Sequence, residues 1–195
     1  MRILRARDHR KMMWKNGGGS TTEIAAEPQG AGFETLAWRV SIAEVAADGP
    51  FSVFPGIDRS IIVLDGDGIV LTVGDQPPMR LTPQSAPFAF SGDAATHGAL
   101  IGGPISDLNV MTRRGRIAHR LRRLDLAAEA SCAVGCDQSA QPVIVVLAGR
   151  VALREAAPAV TLARHDAIVL DRQDAGLNPT ALEHASVALV EFYRD

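Results

Sequence analysis

Reactive side chains are scarce in this sequence. Its 195 residues include two cysteines, one tyrosine and five histidines. Cys132 and Cys136 are read as small semi-apolar side chains, with a redox or metal role as the alternative. Two thiols without a secretory signal are expected to stay reduced in a cytoplasm. Met1-Arg-Ile-Leu-Arg-Ala-Arg-Asp8 carries positive charge but no apolar segment behind it, so no signal peptide is expected. No apolar run approaches the roughly 20 residues that span a bilayer, which excludes a membrane partner of that kind. The formal net charge of -2 gives no field that would draw the chain onto nucleic acid. Six arginines lie between Arg113 and Arg123, but no aromatics are interleaved with them, and they are read as a solvated face. His9, His97, His119, His165 and His184 are scattered and no His-x-His occurs, so neither a metal site nor a cofactor motif is expected. No Ser-His-Asp order with an elbow glycine and no carboxylate pair stand out, so no catalytic residue is assigned.

What the sequence does have is β pattern. Residues 48–68 carry a Gly-Pro turn, a Pro-Gly turn, the run Ile61-Ile62-Val63-Leu64, the loop Asp65-Gly66-Asp67-Gly68 and an answering strand from Ile69 to Val73. Two apolar runs around an Asp/Gly loop predict a hairpin. Arg59 sits at the mouth of the first run. It is read as the anion hook of a small pocket, with an ion pair to Asp58 or Asp65 as the competing reading. From Phe33 to Val45 the residues alternate, which predicts a strand with Arg39 and Ser41 on its polar face and Trp38, Val40 and Ile42 on the other. Gly17-Gly18-Gly19 allows close backbone approach and is read either as an anion nest or as a plain loop; it is not a P-loop.

Turns recur every 8 to 12 residues and no helical period is sustained, which predicts an all-β sandwich or barrel. Ile62-Val63-Leu64-Asp65-Gly66 is echoed by Val145-Val146-Leu147-Ala148-Gly149, as two copies of one β unit would require.

The unit resembles a cupin half-barrel. Aligned on Gly66, a metallo-cupin would carry its two histidines at Val53 and Pro55 and its glutamate at Arg59. The resemblance therefore implies a barrel whose metal chemistry has given way to a cation. Five further motifs, in order, narrow the match. They are Trp14-x-Asn16-x-Gly18-Gly19-x-Thr21-x-Glu23, Trp38-Arg39-x-Ser41-Ile42-Ala43, Asp48-Gly-Pro-Phe-Ser-x-Phe-Pro-Gly-x-Asp-Arg59, Pro87-Phe88-x-Phe90-x-Gly-Asp93 and Asp107-Leu-Asn109-x-Met111-Thr-Arg113. This set closely resembles the HutD/Ves family. The resemblance implies two fused cupin units (a bicupin), expected here as residues 1–126, with the pocket, and a degenerate unit over 127–195. It also implies a cytoplasmic, non-catalytic protein of histidine utilisation that binds a formylglutamate-like dicarboxylate and modulates the pathway. The alternative is an enzyme, a hydrolase or isomerase acting on an amino-acid derivative, with Glu23 and Asp107 as base and acid.

The residues expected to bind the ligand are Arg59, Arg39, Ser41, Asn16, Asn109, Trp14, Gly17, Gly18, Asp107 and Arg113. Guanidinium groups grip carboxylates bidentately, and Asn16 and Asn109 both donate and accept, as a formamide requires. Trp14 would form an apolar wall. The aliphatic second half suggests a homodimer.

Overall fold

The structure, a computed structural model, describes the chain except for residues 15–16, 133, 135–139, 155, 157, 172–173, 175–176 and 195. Regular structure among the described residues consists of β-strands and one short 3-10 turn, Ala6–Asp8. The chain forms two compact units, residues 10–118 and residues 1–9 with 119–194.

The first unit holds two antiparallel sheets. The larger runs β2 (Arg10–Met13), β3 (Gly19–Glu27), β4 (Trp38–Val45), β11 (Ile105–Arg113), β6 (Ile57–Asp65), β9 (Phe88–Ser91). The smaller runs β5 (Gly49–Phe51), β10 (Thr96–Leu100), β7 (Ile69–Val73), β8 (Met79–Leu81). In β7, Ile69, Leu71 and Val73 are buried and alternate with half-buried Val70 and Thr72, the period-2 pattern of a strand with one face on a core. That core joins Ile69, Leu71 and Val73 to Ile61 and Val63 of the larger sheet.

The second unit repeats the plan. One sheet runs β1 (Arg2–Leu4), β16 (Ala167–Val169), β13 (Ala140–Ala148), β18 (Ala185–Arg194), β12 (Ile117–Leu126). The other runs β15 (Val160–Leu162), β14 (Val151–Leu153), β17 (Thr180–Ala181). Ile144, Val146, Val151, Leu153, Val187 and Leu189, all fully buried, fill the space they share. These units are offset from a division at residues 126 and 127, because β1 pairs with β16 and β12 lies beside β18.

The hairpin expected around Asp65–Gly68 does not form. β6 pairs with β11 and β9, whereas β7 pairs with β10 and β8. The Asp/Gly loop is a corner that carries the chain from one sheet to the other. Gly66 has φ +90°, and a Cβ there would lie 2.6 Å from the Pro104 carbonyl oxygen. The chain makes the same change of sheet after Gly149, since β13 and β14 also lie in different sheets. The echo itself is structural. Register shifts skip Leu64 against β11 and Leu147 against β18, and Gly149 repeats the positive φ of Gly66.

Candidate ligand-binding site

Inside the first unit the core opens into a cavity of about 520 Å³. Register determines what faces it. Arg59, Met111 and Arg39 are direct cross-strand neighbours on β6, β11 and β4. Asn109 and Ser41 face each other in the next row, and Asp107 and Ala43 in the one after. Residues two apart on a strand share a face, so three rows of one sheet converge on one wall. A β-bulge at Leu64 falls where Asp107 enters the sheet; bulges re-aim side chains beside binding sites.

The wall is polar yet buried. Arg39, Ser41, Arg59, Asp107 and Asn109 are each no more than 7% exposed. Among the described residues, Arg59 Nε, Arg39 Nη2, Asp107 Oδ1 and Asn109 Oδ1 are buried without a hydrogen-bond partner. Buried polar atoms are nearly always satisfied, so this concentration marks a place to be filled by a polar ligand or by water.

Arg59 stands in an aromatic cage, its guanidinium carbon 4.8 Å from the Phe90 ring centre, 5.4 Å from Phe54 and 5.5 Å from Phe51. Each such contact is worth about 0.5–2 kcal/mol. Burial lowers the Arg59 pKa to about 10, with Asp107 pulling it back up, so the group remains cationic at neutral pH. Asp58 and Asp65 do not neutralise it: Asp58 is held by Arg114 and Asp65 accepts from Ser106. Burial likewise lowers the Arg39 pKa, opposed by Glu23, whose carboxylate oxygen lies 3.0 Å from Arg39 Nε. That approach has ion-pair distance but not hydrogen-bond alignment. Phe33 covers Arg39 at 5.3 Å and packs against Phe54 with the ring centres 4.4 Å apart and the planes tilted by 36°, so the two arginines share an aromatic roof. Asp107 is 1% exposed, and burial pushes its pKa up to about 7 against the opposing pull of Arg59.

The cavity wall thus brings together Arg39, Ser41, Arg59, Asp107, Asn109 and Trp14. Trp14 is an apolar wall whose Nε1 donates to Thr21 Oγ1 at 2.8 Å. The glycine nest is not part of the cavity lining: the Gly17 N–H donates to the Trp14 carbonyl and the Gly18 carbonyl accepts from Ala46. Asn16 lies outside the described residues, as does Cys136. Arg113 does not line the cavity either. Its guanidinium donates to the carbonyls of Phe33, Pro55 and Leu36, which fastens the loops that carry Phe33 and Phe54. Arg114 pairs with Asp58 and Asp93, and Arg122 with Glu191, while Arg116 and Arg120 are exposed, so the arginine-rich segment combines surface ion pairs with solvated side chains. Val53 and His97 are exposed, and among the described residues no three His, Cys, Asp or Glu side chains are grouped to hold a metal. Sequence reasoning missed the phenylalanines as site residues, although Phe51, Phe54 and Phe90 stood inside the quoted motifs.

The model of the HutD family matches residues 6–189. The chain belongs to the HutD family. A 21.2 kDa uncharacterized protein in the hutC 3′ region of Pseudomonas putida is 44% identical over 125 residues, 64% of this chain and 65% of that one. The chain spans just under two thirds of the length of the curated relatives it matches. Among solved structures, a conserved protein of unknown function from Pseudomonas aeruginosa PAO1 is 36% identical with a TM-score of 0.84, covering 98% of both chains. HutD from Pseudomonas fluorescens SBW25, in a formate condition, is 36% identical with a TM-score of 0.79 over 100% of this chain and 98% of that one. The HutD family is related to histidine utilisation, and its fold here is all-β and cupin-like. No helix among the described residues is long and apolar enough to cross a membrane.

Proposed function

We propose that this HutD-family chain is a non-catalytic, cytoplasmic binding protein that holds a formylglutamate-like dicarboxylate and modulates histidine utilisation. One observation carries the reading: two buried guanidinium groups, Arg39 and Arg59, flank Met111 in a single cross-strand row and face one cavity. Two strand spacings separate their backbones by about 10 Å, which suits an acid with a carboxylate at each end. Arg39 is tethered to Glu23 through Nε and keeps Nη2 for a ligand. Asn109 Oδ1, between the arginines and Asp107, is an acceptor for an amide N–H. The formate named with the Pseudomonas fluorescens HutD is itself a carboxylate.

The test is calorimetric titration of N-formyl-L-glutamate into the wild type and Arg59→Met, which keeps an apolar side chain of similar length inside the aromatic cage. Loss of a charged hydrogen bond, about 1.5–3 kcal/mol, corresponds to binding weaker by roughly ten- to a hundredfold. Equal binding by both proteins, or none by the wild type, defeats the reading. A second reading, an enzyme with Asp107 as acid and Glu23 as base, is favoured by one fact: Asp107, at the cavity wall, has its pKa near neutrality. Release of formate or glutamate from N-formyl-L-glutamate by the pure protein would establish it.

A further inference from the structure

Asp107 is a problem for an anion pocket. It places a carboxylate on the wall where a second carboxylate would bind. Its Oδ1 is buried without a hydrogen-bond partner among the described residues, and no ion pair joins it to Arg59. The groups around it do not resolve the conflict. β6 contributes Arg59 and β4 contributes Arg39, which is already paired with Glu23 of β3. On β11 itself the next side chain on that face is Asn109, a neutral amide that carries no charge to offset a second carboxylate. Lys11 of β2 pairs with Glu44 at the surface, and His97 of β10 is exposed. β5 offers Phe51, which is apolar. With Arg39 shared between Glu23 and the ligand, Arg59 and Arg39 together face Glu23, Asp107 and the two carboxylates of the bound acid, and an ionised Asp107 would leave its charge uncompensated at low dielectric, which is costly.

We infer that Asp107 enters the loaded pocket as the neutral acid and donates its proton in a hydrogen bond to an oxygen of the bound acid. The inference rests on the anion-binding reading and deepens it. One proton is taken from solvent with each anion whenever the empty pocket's carboxyl is ionised, and none when it is already neutral. The ligand class narrows accordingly. The acid must present an oxygen acceptor to the β11 wall, and a free ammonium there would find no carboxylate to pair with.

The elevated pKa that burial gives Asp107 agrees with this arrangement, and a bound anion would raise it further. The experiment is titration of N-formyl-L-glutamate into the wild type, Asp107→Asn and Asp107→Leu from pH 5.5 to 8.5, with pH 8 repeated in phosphate and in Tris. For the wild type, Kd should be flat at low pH and rise toward about tenfold per pH unit above pH 7. The pH 8 heats should differ between the buffers by the ionisation of one proton. Asp107→Asn, which retains an N–H donor, should bind with a pH-independent Kd, and Asp107→Leu should bind at least about tenfold more weakly than Asp107→Asn at every pH. Binding that is flat in pH with buffer-independent heat overturns the proton-uptake inference and leaves the anion reading standing. Absence of binding at every pH overturns both. Should a variant fail to fold, the carboxyl ¹³C shift of Asp107 in the wild type decides the question: at pH 8 it should move to the protonated position on addition of N-formyl-L-glutamate, and an unmoved shift refutes the idea.

Discussion

Asp107 lowers the stability of the empty fold, and the direction follows from its proton. The folded pKa, about 7, lies above the usual carboxyl value of 3.8. Between these values the folded chain holds a proton that the unfolded chain has released. Stability therefore falls as pH rises through that window, by up to about 1.4 kcal/mol per pH unit, and levels off above it. Urea unfolding of ligand-free Asp107→Asn should accordingly show a gain of a few kcal/mol over wild type at pH 8 that closes toward pH 4. A gain independent of pH would assign the effect to packing. Sequence could not place this residue beyond its motif, because its burial depends on which strands flank β11. Arg39 and Ser41 were legible, since alternation alone puts them on one face. Arg59 was legible as a cation beside a turn. Of its three phenylalanines, Phe51 and Phe54 stand in the same motif as Arg59, whereas Phe90 is brought beside it by the pairing of β9 with β6, which only the fold assembles.

At the level of strands and loops, the corner after β6 is the informative feature. An Asp/Gly loop between two apolar runs is compatible with a hairpin and with a crossover, because both bury one face of each run. The choice depends on the partners of β6 and β7, which lie some tens of residues away in the chain. Gly66 makes the corner through a positive φ and its close approach to the Pro104 carbonyl, and Gly149 does the same against the His184 carbonyl at 2.5 Å. Gly66→Ala and Gly149→Ala should each cost at least about 2 kcal/mol in chemical denaturation, from backbone strain and clash together. Gly74 has a positive φ of 52° but nothing within 4 Å of a Cβ. Gly74→Ala should therefore cost only about 1 kcal/mol. Equal losses at all three sites would show that φ alone matters and that the close approach does not.

For the whole molecule, the all-β class was readable, but the bounds of the two units were not. The echo of Val-Leu-x-Gly marked two similar halves, and the all-β pattern marked their class. The route of the first strand was not readable. Arg2–Leu4 is too short to carry a register signal, yet it pairs with β16, and Arg5 reaches Asp166 at 2.8 Å. Removing residues 1–9 should raise amide exchange in β16 and β13 while leaving β4, β6 and β11 protected; loss of protection in both groups would contradict the two-unit division.

Laid over one another by the skipped leucine and its glycine, the two units match position by position. Pro142 takes the place of Arg59, Val187 that of Asp107, Leu189 that of Asn109 and Glu191 that of Met111. One chain thus preserves a frame in two states, one hollow and polar, the other filled mostly with aliphatic side chains beside one buried carboxylate, Glu191, paired with Arg122. The halves should consequently drift under different constraints over evolutionary time. Substitutions in the filled half are judged mainly by volume, apart from the Glu191–Arg122 pair, and those in the hollow half by the charge and shape of a visitor.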